Sequence, residues 1–117
     1  MNGTRTFSTP GTSAYASSKA GQVALMKVVA LEVGRHGIRC NAVCPGAIDT
    51  DIDAATTRRD TESLGIDVRL PSGSPAVHEG HAGPAEVADV CLFLASDLSR
   101  HVSGIALVVD GGASLLR

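Results

Sequence analysis

Tyr15 and Lys19 stand four residues apart in the run Tyr15-Ala16-Ser17-Ser18-Lys19. On a helix that spacing brings a phenol and an ammonium to one face. A free tyrosine, with a pKa near ~10, exchanges protons poorly at neutral pH. A fixed positive charge beside it stabilises the phenolate and lowers that pKa. Such a pair can pass a proton to or from a carbonyl or alcohol oxygen while a hydride moves elsewhere. Alone, the spacing is a weak signal, because any helix can carry a packed tyrosine beside an exposed lysine at that interval.

Other chemistry-bearing residues read more plainly. His78 and His81 lie in H-E-G-H, which lacks the helical H-E-x-x-H spacing and a third ligand nearby, so no metal site is expected. Cys40 and Cys44, four apart on an expected strand, share a face without C-x-x-C geometry and read as buried apolar thiols. Arg58 and Arg59 read as solvated loop charges rather than a grip on an acidic substrate. Asp110-Gly111-Gly112 reads as a tight turn that lets the tail pass close to a sheet, not as a phosphate turn.

The elements that must position these residues follow from periodicity and punctuation. Residues 1–13 are polar, contain Pro10-Gly11 and read as a loop, with Thr12 and Ser13 as candidate N-caps. A helix is expected over 14–36, Ala-rich and proline-free, ended by Gly37 with Arg35 and His36 in its last turn. Its Val23, Leu25, Val28, Val29, Leu31 and Val33 exceed one narrow stripe, which implies burial on two sides. One side can meet the chain's own sheet. The other is expected to meet a partner subunit, or to lie in the centre of a larger monomer.

A buried strand is expected over 38–44, closed by Pro45-Gly46. Residues 47–83 read as a long loop, with short helical turns between Asp49 and Leu64; loops of that length are usually functional. A second helix is expected over 84–96, with Pro84 at its first position, Glu86 in its first turn, and Val87, Val90, Cys91 and Leu94 on one face. A continuous apolar strand over 105–109 and a tail over 110–117 complete the chain. This alternation argues for an α/β fold with a parallel sheet. Two parallel strands do not make a stable sheet alone, so neighbouring strands are expected beside them.

Composition narrows the partners. The net charge of −2 carries no basic excess, which excludes nucleic acid and anionic membrane surfaces as expected partners. The most apolar stretch, Val23 to Val33, is interrupted by Lys27 and Glu32 and is too short to span a bilayer. Three cysteines without a signal-type apolar run at the N-terminus point to reduced thiols and a cytoplasmic location.

Several motifs in order carry a family resemblance. They are Y-x-x-x-K-A at Tyr15, Lys19 and Ala20, A-L-E at Ala30 to Glu32, and G-I-R-x-N at Gly37 to Asn41. P-G-x-x-x-T follows at Pro45, Gly46 and Thr50, then F-L-A-S-D at Phe93 to Asp97, and S-G-x-x-L-x-V-D-G-G at Ser103 to Gly112. Together they closely resemble the short-chain dehydrogenase/reductase family across nearly the whole chain, apart from the Asp53 to Gly80 loop.

The resemblance implies the C-terminal part of a Rossmann-like, doubly wound parallel sheet. It implies NAD(P)-dependent carbonyl reduction or alcohol oxidation, with NAD or NADP left open. Tyr15 would be the general acid or base, and Lys19 would lower its pKa and hydrogen-bond the nicotinamide ribose. Pro45 and Gly46 would sit against the nicotinamide end of the cofactor. Ile48 would offer backbone groups to the carboxamide, and Thr50 a hydroxyl to the carboxamide or pyrophosphate. The loop beyond Thr50 would close over a small alcohol or carbonyl substrate. The 14–36 helix would serve a homo-oligomer.

Departures from the family pattern set a second expectation. The family's serine lies upstream of the tyrosine; counting back reaches Asn2, and a slightly longer loop places it before Met1. Ser8 and Ser13 stand too close to Tyr15. The glycine-rich phosphate turn, the ribose selector and the upstream helix asparagine have no counterpart in these residues. The N-terminal nucleotide-binding half is therefore expected to be absent. Without a cradle for the pyrophosphate, the isolated chain is expected to be inactive. The alternative is a non-catalytic truncated product or a dimerisation partner of full-length subunits.

Overall fold

The computed structural model describes residues 10–51, 62–65 and 82–115. Helix α1 is Ser13–Val33. Where the sequence suggests one helix over 14–36, the last turn tightens into a 3-10 turn at Gly34–His36. Gly37 then adopts φ 71° and donates its N–H to the Gly34 carbonyl at 3.0 Å, the left-handed stop that glycine takes without a Cβ penalty. Thr12 occupies the N-cap position, but its side chain makes no capping hydrogen bond, a correction to the expected cap.

One face of α1 carries buried Met26 and Ala30, flanked by half-buried Ala20, Val23 and Val33. The opposite face leaves Leu25, Val28 and Leu31 exposed, Leu31 at 84%. Helix α1 approaches the bend ahead of the last strand: a Cβ built on Gly104 would lie 3.7 Å from that of Ala30.

The sheet is two parallel strands, β1 (Ala42–Pro45) and β2 (Ala106–Val109), in the register Ala42↔Ala106 through Pro45↔Val109. Both are shorter than the expected 38–44 and 105–109, for a physical reason. Gly104, at φ 79°, bends the partner chain ahead of β2. There the Gly104 N–H still donates to the Cys40 carbonyl at 2.8 Å, and side chains supply further links. The Asn41 amide donates to the Val102 carbonyl at 2.9 Å, and its oxygen accepts the Ile105 N–H at 3.2 Å. Cys40 consequently lies outside the strand and is half-buried, whereas Cys44 is buried.

Helix α2 is Pro84–Ala95, with Pro84 in its first turn and Gly83 in extended conformation before it. It packs on both strands. Val87, Val90 and Leu94 are half-buried, while Cys91, expected on the same face, is exposed at the edge of their stripe. Ser96 closes the helix, its N–H reaching the Leu92 and Phe93 carbonyls at 3.0 and 3.2 Å. An isolated parallel bridge pairs Ile48 with Ala82, and Asp49 donates to the Ala82 carbonyl at 3.0 Å. That bridge draws together the two ends of the 47–83 stretch.

The alternation of helix and parallel strand is that of an α/β fold. Among the described residues, the buried apolar side chains are only Met26, Ala30 and Cys44. No described helix is long and apolar enough to cross a membrane.

Candidate active site

The first turns of α1 put Tyr15 and Lys19 on one face, as spacing of four requires. The Lys19 ammonium stands over the Tyr15 ring, 5.5 Å from its centroid. At a site where Tyr15 is 55% exposed, such a contact contributes about 0.5–1 kcal/mol. Ser18 donates its hydroxyl to the Tyr15 carbonyl at 2.8 Å, so it braces the helix and not the phenol.

The second group of expected site residues lies at the carboxyl ends of the strands. Pro45 ends β1 and is exposed; Gly46 follows it, half-buried, and donates its N–H to the Val109 carbonyl at 2.9 Å. A Cβ on Gly46 would stand 2.6 Å from Asp110 Cβ, so only glycine fits. Ile48 is fixed by its bridge to Ala82, and Thr50 is exposed. Among the described residues, no hydrogen bond or ring contact joins the Tyr15–Lys19 pair to residues 45–50. His78, His81, Arg58, Arg59, Asn2, Ser8 and most of the 47–83 loop lie outside the described residues.

Two supporting arrangements escape a reading by motif alone. Arg39 donates to the Ser99 hydroxyl at 2.8 Å and reaches the Val102 and Ser96 carbonyls at 3.5 and 3.4 Å. Ser99, fully buried, passes its own proton to the Leu94 carbonyl at 2.9 Å. With Asn41, Arg39 fastens the end of α2 and the approach to β2 onto the approach to β1. Two polar residues alternating within an apolar run are the sequence signal, because such groups must find partners when covered.

The other arrangement is the turn after β2. Gly111 and Gly112 take φ 59° and 83°. Burial alone would raise the Asp110 pKa. Hydrogen bonding from Ser114 and Gly112, whose N–H groups donate to Oδ2 and Oδ1 at 3.0 and 2.9 Å, outweighs it and lowers the carboxyl below its ordinary value. Burial acts unopposed enough on Cys44 to raise its thiol's pKa, which keeps it a protonated apolar group.

The family model described as "Enoyl-(Acyl carrier protein) reductase" matches residues 3–114. The chain is 38% identical, over 104 residues, to the short chain dehydrogenase/reductase astE of Aspergillus oryzae, covering 89% of this chain and 38% of that protein. It is 43% identical, over 98 residues, to L-rhamnose 1-dehydrogenase (NAD(P)(+)) of Azotobacter vinelandii, covering 84% of this chain and 36% of the relative. Among solved structures, a 3-ketoacyl-ACP reductase from Sinorhizobium meliloti superposes with a TM-score of 0.83 at 46% identity, covering 99% of this chain and 46% of that one. The chain thus spans about two fifths of the length of the curated relatives it matches.

Proposed function

The chain belongs to the short-chain dehydrogenase/reductase family, and from that premise we propose that it carries the proton-transfer part of a nicotinamide-dependent oxidoreductase. The substrate is a small alcohol or carbonyl compound, in line with relatives named as dehydrogenases and reductases. The observation that carries this reading is the Lys19 ammonium held 5.5 Å over the Tyr15 ring. In this reading Tyr15 takes a proton from an alcohol or returns one to a carbonyl oxygen, with the Lys19 ammonium on the same helix face.

The described residues fit the nicotinamide end of NAD or NADP. Parallel strands present their carboxyl ends side by side, where ligands of open α/β sheets bind. At that edge Gly46 offers backbone without a side chain. In this reading Pro45 and Gly46 border the ring, Ile48 and Thr50 hold the carboxamide, and Lys19 also binds the ribose. The bound cofactor supplies or accepts the hydride. Tyr15 handles the proton.

These 117 residues contain no G-x-x-x-G-x-G turn to cradle a pyrophosphate. We therefore expect the chain alone to show no saturable nicotinamide fluorescence signal and no turnover; tight saturable binding would overturn that part. Exposed Leu25, Val28 and Leu31 favour a homo-oligomer formed through α1, and the three cysteines a reducing, cytoplasmic setting.

The deciding experiment grafts the chain in place of the matching stretch of the Sinorhizobium meliloti reductase. The graft should interconvert an alcohol and a carbonyl with NAD(H) or NADP(H), and should depend on Tyr15. A graft that folds and binds cofactor but turns over equally well without the Tyr15 hydroxyl sinks the proposal.

A further inference from the structure

The ladder between β1 and β2 does not end with the strands. Pro45 pairs with Val109, which leaves Gly46 and Asp110 opposite one another one step beyond. There the two chains touch: a Cβ on Gly46 would lie 2.6 Å from Asp110 Cβ and 3.0 Å from Asp110 Cα. The place of Gly46 is thus set by the place of Asp110. Asp110 in turn is held by its own carboxylate, which accepts the Gly112 and Ser114 N–H groups at 2.9 and 3.0 Å. Its carbonyl also accepts the Ala113 N–H at 3.0 Å. Gly111 and Gly112 take left-handed φ values of 59° and 83°, and the carboxylate closes the turn they make.

We propose that Asp110 is a positioning residue for the Pro45–Gly46 edge: its carboxylate locks the turn after β2 and so fixes the backbone wall against which Gly46 packs. The coupling is a property of the chain itself. It rests on the proposed function only in that this edge then borders the nicotinamide. Asp110 touches no reacting atom; it acts through Gly46.

The test follows backbone amides of the 15N-labelled chain by NMR in Asp110→Ala and Asp110→Asn. In Asp110→Ala the Gly46 amide should exchange at least about tenfold faster, the local opening expected when two charge-assisted hydrogen bonds go. Asp110→Asn, which keeps one acceptor, should give a smaller acceleration of the same amide. Ala30 in α1 should keep its rate in both variants, which separates local release from general destabilisation. If Gly112 and Ser114 respond while Gly46 does not, Asp110 merely caps its own turn and the proposal is overturned. Should Asp110→Ala fail to fold, Asp110→Asn decides by the same criterion. No cofactor is present in this measurement, so its failure leaves the proposed reaction standing. An inactive graft, conversely, leaves the positioning role standing.

Discussion

At the residue scale, the Tyr15–Lys19 pair is the part of the proposed site most legible in the sequence, because spacing on a helix fixes which side chains share a face. In the grafted enzyme, Tyr15→Phe should cut kcat by about 10²–10⁴-fold, the usual worth of a positioned acid–base group, with cofactor binding unchanged in a fluorescence titration. Asp110 was legible only as a turn residue. Its hold on the Gly112 and Ser114 amides depends on backbone directions that no spacing rule gives. Its lowered pKa has a thermodynamic consequence with a definite sign. The stabilisation is fully present above the ordinary aspartate value of 3.8 and disappears as pH falls through the folded value. Urea unfolding followed between pH 2 and pH 6 should therefore show a shallower acid limb for Asp110→Asn than for the parent.

At the scale of elements, helix and strand types were legible, and the strand boundaries were not. The run Ile38-Arg39-Cys40-Asn41 reads as strand because it opens a short, mostly apolar stretch closed by Pro45-Gly46. In the fold the same residues deliver their polar side chains to Val102, Ile105 and Ser99. The partner strand bends at Gly104, and a distant glycine's φ is invisible in the segment it affects. Asn41→Ala would leave the Val102 carbonyl and the Ile105 N–H without these partners and should cost about 1–3 kcal/mol. Equilibrium urea denaturation measures it, and a loss well below the lower figure would mean that water replaces the amide.

At the scale of the molecule, the family was legible because several motifs agree in order, and the match over residues 3–114 bears that out. What the sequence leaves open is the substrate, since the 53–80 stretch is the least family-like part. The breadth of apolar positions along α1 is read directly from the sequence; that Leu25, Val28 and Leu31 face outward while Met26 and Ala30 face inward required the fold. If α1 is an interface between copies, Leu31→Glu should shift the chain towards monomer in light scattering at micromolar concentration, because a carboxylate would be buried unpaired. An unchanged mass would remove α1 from the interface.

Gly46 also bears on how the chain can vary. Every single-base change in a glycine codon that yields a different amino acid adds a Cβ, and here the Cβ alone, whatever follows it, meets Asp110 Cβ and Cα. Conservative and radical replacements should therefore be about equally damaging, so a saturation library would show a flat, uniformly poor profile at this position. At exposed Pro45, next to it, the same library should show outcomes graded by side chain. Tolerance at the strand edge would thus change abruptly from one codon to the next, set by backbone separation and not by nearness to the chemistry.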